Sequence, residues 1–126
     1  MKDYKNYYII KSTPEMVFLG LTNPLTIQLW SGEEAEMKEE IGFEFSMFEG
    51  SILGKILELE KGEKIVQQWF FGEQDEPSIV TIKLHPKGNY TSLELRHTNI
   101  PDEDFEEIVE GWNSMYMSRL MEFYNE

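Results

Sequence analysis

The last quarter of this chain carries an apolar stripe that something has to cover. Phe105, Ile108, Val109, Trp112, Tyr116, Leu120 and Phe123 recur at i, i+3, i+4 spacing, the period of one helix face. Pro101 opens the segment, and Asp102, Glu103 and Asp104 fill its first turn, where carboxylates meet the positive end of the helix dipole. The pattern predicts a helix of about 20 residues, roughly 30 Å long. The segments before it read as strands, so the only large apolar surface on which the stripe can lie is a sheet.

Those strands follow one another closely. Residues 3–11 hold Tyr4, Tyr7, Tyr8, Ile9 and Ile10, a β-rich set. Thr13-Pro14-Glu15 then signals a helix start, with Thr13 as cap and Pro14 at the first helical position. Asn23-Pro24 interrupts this helix, because a residue before proline disfavours the α region; Leu25 to Trp30 reads as a second short helix. Residues 33–40, mostly Glu with Ala35 and Met37 interleaved, read as a strand with one wet face. In 43–48, Phe43, Phe45 and Met47 share a face, while Phe48 packs elsewhere or lies at the Glu49-Gly50 turn. Residues 51–60 place Leu53, Leu57 and Leu59 on one side and Ile52 and Ile56 on the other, and Gly54 suggests a bulge or bend. Residues 64–71 align Ile65, Gln67, Trp69 and Phe71; residues 78–84 align Val80, Ile82 and Leu84; residues 90–98 align Thr91, Leu93, Leu95 and His97. Neighbours joined by short turns pair antiparallel, since parallel pairs need crossovers. The expectation is α+β: a curved antiparallel sheet wrapped around the C-terminal helix, with two short helices after the first strand. Residues 1–126 are expected to form a single domain.

Charge and composition exclude several functions. The net charge is −13, concentrated in two acidic blocks at residues 31–49 and 98–126. The sequence lacks the basic footprint of a nucleic-acid binder, and anionic membrane surfaces repel such a chain. There is no cysteine, which removes disulfides and thiolate metal sites. No run of about 18 apolar residues is present, and the N-terminus lacks the apolar core of a secretory signal, so the expected location is the cytoplasm.

Few residues suggest chemistry. No Ser or Thr sits in a nucleophile motif, and no glycine-rich phosphate loop occurs. The glutamates at 33, 34, 36, 39 and 40 lack the spacing of a calcium loop and read as a solvated face. His97 falls on the inner register of the last strand; with no catalytic partner in view, the reading is a strand-end histidine with its ring partly in water. His85, beside Pro86, reads as exposed. The expectation is no catalytic residue, no metal and no cofactor. The ligand-binding candidates are Trp30, Phe45, Met47, Trp69, Trp112 and Tyr116, aromatic and soft side chains set to line a pocket or to pack as core. Gln67 is a candidate polar anchor, because a buried amide needs a partner.

The order of elements resembles the helix-grip fold of the START-like (Bet v 1-like, SRPBCC) superfamily over essentially the whole chain. Within it, Phe45-Ser46-Met47-Phe48-Glu49-Gly50-Ser51-Ile52 with Gly54, Glu58-Leu59, Lys64-Ile65-Val66-Gln67-Gln68-Trp69, Val80-Thr81-Ile82, Leu93-Glu94-Leu95, Ile100-Pro101 and Gly111-Trp112 resemble the C-terminal domain of the activators of heat-shock-protein-90 ATPase. The resemblance implies a sheet of about six or seven strands and a cavity or a protein-binding face between sheet and helix. Eukaryotic members that act as co-chaperones carry an additional N-terminal domain, so the expectation is a stand-alone version of the other domain.

The leading expectation is a non-enzymatic protein whose hydrophobic cavity takes a small apolar or amphipathic molecule. The alternative is a co-chaperone-like module that binds a chaperone of the heat-shock-protein-90 type, as a monomer or weak homodimer. A second alternative, implied by superfamily members that act on polyketides, is a cyclase- or aromatase-like enzyme.

Overall fold

The computed structural model describes residues 1–125. In chain order the elements are β1 (Lys2–Ile10), α1 (Pro14–Thr22), α2 (Pro24–Ser31), β2 (Glu44–Met47), β3 (Ile52–Glu60), β4 (Lys64–Trp69), β5 (Ser78–Lys87) and β6 (Tyr90–Ile100). The long C-terminal helix covers residues 102–123: a 3-10 turn at Asp102–Asp104, α3 (Phe105–Gly111), a wide π turn at Trp112–Met117, and α4 (Ser118–Phe123). The strands make one six-stranded sheet in the order β1-β6-β5-β4-β3-β2, antiparallel throughout. The sheet curves around the helix, the helix-grip arrangement that the sequence resembles.

The two short helices form for the expected local reasons. The Thr13 hydroxyl accepts from the Met16 amide at 3.3 Å, with Pro14 at the first helical position. The Asn23 amide N–H donates to the Leu19 carbonyl and ends α1, while its side chain accepts from the Thr26 amide at 3.0 Å and starts α2. The indole of Trp30 donates to the Gly20 carbonyl at 2.7 Å, locking α2 onto α1. At the other end of α2, Arg119 donates to the Ser31 carbonyl at 2.6 Å, a cation where free carbonyls collect.

The core fills the space between sheet and helices. Ile65, Val80, Ile82, Leu93 and Leu95 from the strands, and Met117 and Leu120 from the long helix, are fully enclosed. The π turn is a wider turn of the helix, and Trp112, Tyr116 and Met117 are buried in it. Asn113 in that turn is held by β1. Its side-chain amide donates to the Tyr4 hydroxyl at 2.8 Å and to the Val109 carbonyl at 2.9 Å, and its oxygen accepts from the Tyr8 hydroxyl at 2.7 Å.

Three expectations change and one is sharpened. Residues 33–40 form no strand; a single bridge joins Glu36 to Ser46, and Met37 is buried. Two small apolar anchors among glutamates tether a loop to the core without sustaining a ladder. Phe48 lies at the turn, one of the two places expected for it, but its ring is in the core. It has φ 52°, in the left-handed region with Glu49 and Gly50, which turns its ring inward against Trp30 and Tyr116, each 6.1 Å away. In β3 the register shifts between Ile56 and Glu58. Ile52 and Ile56 face inward before the bulge and Leu59 after it, opposite Ile65, while Leu53 is exposed.

Gly54 is not the bulge but a close approach. A Cβ there would press on the Gln68 carbonyl oxygen and lie 2.6 Å from Cζ of Phe45. Gly54→Ala therefore forces Phe45 or β4 to move, and overpacking of this kind costs about 1–3 kcal/mol. Urea unfolding of the variant is expected to show that loss; an unchanged midpoint would contradict the packing.

Candidate functional site

The N-terminal half of the long helix does not lie flat on the sheet. Trp112, Tyr116 and Leu120 are buried, but Phe105, Ile108 and Val109 are only half-buried. The gap is a cleft of about 410 Å³, within the range of about 300–1,000 Å³ typical of small-molecule sites. The β2–β3 turn supplies Phe48, Ser51 and Ile52, and the end of β4 supplies Trp69 with Phe71 just beyond it. The helix supplies Asp104, Glu107, Ile108, Gly111, Trp112, Met115 and Tyr116, and Glu33 closes one side. A larger hollow of about 870 Å³ between residues 71–75 and 101–103 is an acidic, open surface groove, without the enclosing aromatic walls of the cleft.

Aromatic side chains form the cleft's apolar wall. Trp69 and Trp112 stack with centroids 4.7 Å apart at 23°, and Trp112 meets Tyr116 at 4.6 Å. Both indole N–H groups are used inside the core: Trp69 donates to Oε1 of Gln67 at 2.9 Å and Trp112 to Nδ1 of His97 at 3.0 Å. The pair therefore offers the cleft ring surface, not donors.

His97 is wholly buried, not a strand-end ring in water. Stacking partners and the helix cover the inner end of β6 more completely than strand register alone reveals. An indole N–H only donates, so Nδ1 of His97 carries no proton. Nε2, 2.7 Å from the Ser78 hydroxyl, then bears the hydrogen and donates to it, and Ser78 passes its own to the Thr98 carbonyl at 3.2 Å. Sealed away with every group partnered, this Ser–His pair is structural.

Among the described residues, two buried polar side-chain atoms have no hydrogen-bond partner, the Tyr116 hydroxyl and Oε2 of Glu33, and both are shut off from the open space of the cleft. Burial raises the Tyr116 pKa, so the phenol stays neutral. Arg119 stands 3.8 Å from Oε2 of Glu33, a distant ion pair, because its Nη1 already donates to Ser31. Among the described residues lining the cleft there is no Lys, Arg or His.

The family model for Activator of Hsp90 ATPase homolog 1-like protein matches residues 11–124. This chain belongs to that family. An Activator of 90 kDa heat shock protein ATPase homolog from Dictyostelium discoideum is 32% identical over 97 residues, covering 75% of this chain and 25% of the relative. The chain spans between 25% and 34% of the length of the curated relatives it matches. Among solved structures, an HSP90 activator from Plasmodium falciparum superposes with TM-score 0.90 at 29% identity, over 99% of this chain and 97% of that one. The Aha1 dimer from Colwellia psychrerythraea shares the fold, with TM-score 0.83 at 17% identity over 98% and 96% of the two chains.

In this Hsp90-activator-like chain, three of the seven candidate residues line the cleft: Trp69, Trp112 and Tyr116. Trp30, Phe45, Met47 and Gln67 are enclosed behind them; Trp30 packs on Tyr116 at 5.0 Å and Gln67 holds Trp69. Sequence reasoning missed Glu33, Gly111 and Met115. Asp104, Glu107, Gly111 and Met115 follow helical spacing on a face beside the apolar stripe, next to its member Ile108, a pattern legible only once the stripe's own orientation is fixed.

Burial holds the His97 pKa down to about 3, against a pull upward from Asp3. The unfolded chain takes up this proton near 6.5 and the folded one only near 3. Below pH 6.5 the unfolded state binds more protons, so stability is lost as pH falls through that window, by up to about 1.4 kcal/mol per pH unit. Urea unfolding at pH 7, 6 and 5 is expected to fall more steeply for the parent than for His97→Gln, which has no ring to protonate. Parallel slopes would refute this account.

Proposed function

We propose that this chain is a binding protein that takes a small apolar or amphipathic molecule into the cleft between its long helix and the β2–β3 turn, acting as one START-like unit. The observation that carries this reading is Gly111. It sits in helical conformation, φ −60°, ψ −42°, where glycine costs about 0.5–1 kcal/mol relative to alanine. No backbone requirement explains it, and a Cβ there would meet nothing within 4 Å. A bare helix position facing aromatic walls keeps volume open where a larger side chain would fill it. Trp69, Trp112 and Tyr116 would contact the guest, while Trp30, Phe45, Met47 and Gln67 would fix those rings in place. Apolar burial of about 25 cal/mol per Å² supplies the driving force, and a bound guest raises the melting temperature by mass action.

Two variants separate the site from the fold. Gly111→Ala is expected to stabilise the free protein by about 0.5–1 kcal/mol. Gly111→Leu is expected to fold and to abolish the thermal shifts that a panel of aromatic and lipid-like compounds gives the parent. A panel without any shift in the parent, or shifts untouched by Gly111→Leu, would end the proposal.

A second reading has its own support: the near-complete superposition on an HSP90 activator and the family match. On this reading the chain docks on an Hsp90-type chaperone and changes its ATPase rate. Purified chaperone titrated with this protein is expected to show a rate change that diminishes with salt, as charge-driven contacts weaken. A flat titration at low salt would exclude it.

A further inference from the structure

One edge of the sheet stands open, and its charge is opposite to that of the protein. β1 is the outermost strand at one end, and among the described residues β6 is its only strand neighbour. The Tyr7 amide N–H donates to Oδ1 of Asn6 at 2.8 Å, at the surface, so it lies outside the ladder with β6. Backbone groups alternate sides along a strand, so those of Lys5 and Ile9 turn to the same free edge. An unpaired edge is a template for a further strand. Here Lys2, Lys5 and Lys11 outnumber one acid, Asp3, whose Oδ1 accepts from the Asn99 amide at 3.1 Å.

Lys5 stands directly opposite Arg96 on β6. Because the Tyr7 N–H is outside the ladder, this is a non-hydrogen-bonded pair, the kind with Cα atoms about 4.5 Å apart and side chains closest. Like charges so placed are destabilising. Both residues are exposed, and among the described residues neither makes an ion pair. The other opposed cations, Lys64 and Lys83, are answered: Lys64 meets Glu60 at 2.9 Å and Glu58 at 3.6 Å, and Lys83 stands opposite Glu94. In a chain with 24 acids and 11 bases, an unanswered cation pair beside an open edge stands out. Further along β1, Tyr7 and Ile9 are 54% and 41% exposed. Lysines on an edge ward off strands that are not acidic; exposed apolar side chains there invite contact.

We infer that this edge takes an extended acidic segment of a partner protein as a further strand, antiparallel to β1. The segment's backbone bonds the free groups of Lys5, Tyr7 and Ile9, and Asn6 gives up the Tyr7 N–H to it. Side chains on the segment's outer face set specificity: a carboxylate opposite Lys11, apolar groups opposite Ile9 and Tyr7, and a carboxylate opposite Lys5, beside Arg96. A second copy of this chain fits worse, because its own β1 would bring three more lysines to the same edge. The inference is independent of the cleft.

The probe is a synthetic peptide, acetyl-Glu-Thr-Ile-Thr-Val-Thr-Glu-amide, compared with versions that carry Gln or Lys in place of both Glu. Titrated into isotope-labelled protein at physiological ionic strength, the Glu peptide is expected to shift the amide signals of Lys5, Tyr7 and Ile9 and to bind about fivefold tighter than the Gln peptide, with the Lys peptide weakest. Lys5→Glu is expected to raise the melting temperature of the free protein, by relieving Arg96, and to erase the preference for the Glu peptide. Lys61→Glu, the same charge change in the β3–β4 turn, is expected to keep that preference. Tyr7→Pro removes a donor outside the ladder, so it is expected to fold and to lose binding of all three peptides. Shifts centred away from β1, equal binding of the three peptides, or a preference lost equally in Lys61→Glu would overturn the inference. So would no binding at all, or self-association of the free protein that Tyr7→Pro abolishes, which would make a second copy the occupant.

Discussion

One buried chain of hydrogen bonds fastens the long helix to the sheet, and the rest of the architecture is arranged around it. The Trp112 indole donates to His97, His97 donates to Ser78, and Ser78 donates to the Thr98 carbonyl. A polar group with no partner is costly in a closed core, so the chain is stable only when all of its members are present in one tautomer. That fixes the rotation of the helix about its own axis: only one orientation brings the Trp112 nitrogen to His97. The π turn follows from this demand. A regular helix would not hold Trp112, Tyr116 and Met117 together on the buried side, and the wider turn does. Asn113, held between Tyr4 and Tyr8, ties the same turn to β1.

With the helix fixed at its middle, its first turns are left to span a gap. The β2–β3 turn reaches that gap through a conformation that bulky residues seldom adopt, with Phe48 and Glu49 both at positive φ. Strain of this kind persists where surrounding structure over-determines it; here Trp30, Tyr116 and Arg119 hold Phe48. The cleft is therefore bounded by one rigid wall, the stacked tryptophans, and one strained wall at Phe48. Gly111 on the helix leaves the space between them empty.

The fold was legible because its signals are periodic. The stripe from Phe105 to Phe123, the caps at Thr13 and Asn23, and the alternation in β4, β5 and β6 each report local geometry that the tertiary structure keeps. Three features were not legible because they depend on distant partners. Phe48 reads rightly as a turn residue, but that its ring joins the core shows only once Trp30 and Tyr116 stand opposite it. His97 reads as a strand end until Trp112 covers it. The glutamate-rich loop reads as a strand because two-residue alternation does not reveal whether a neighbouring strand is available to pair. Of the candidate site, the aromatic content was legible and its division was not: period two places Phe45, Met47, Gln67 and Trp69 on one face, but only the helix decides which of them still meet open space.

The uneven charge of the chain also acquires a structural meaning. Glu33 comes from the first acidic block and Asp104 and Glu107 from the second, and the fold brings them to one cleft. Arg119, beside Glu33, is held by its bond to Ser31, where it anchors the end of α2. The same guanidinium lies over Phe48, so one side chain ties the end of α2, Glu33 and the β2–β3 turn together.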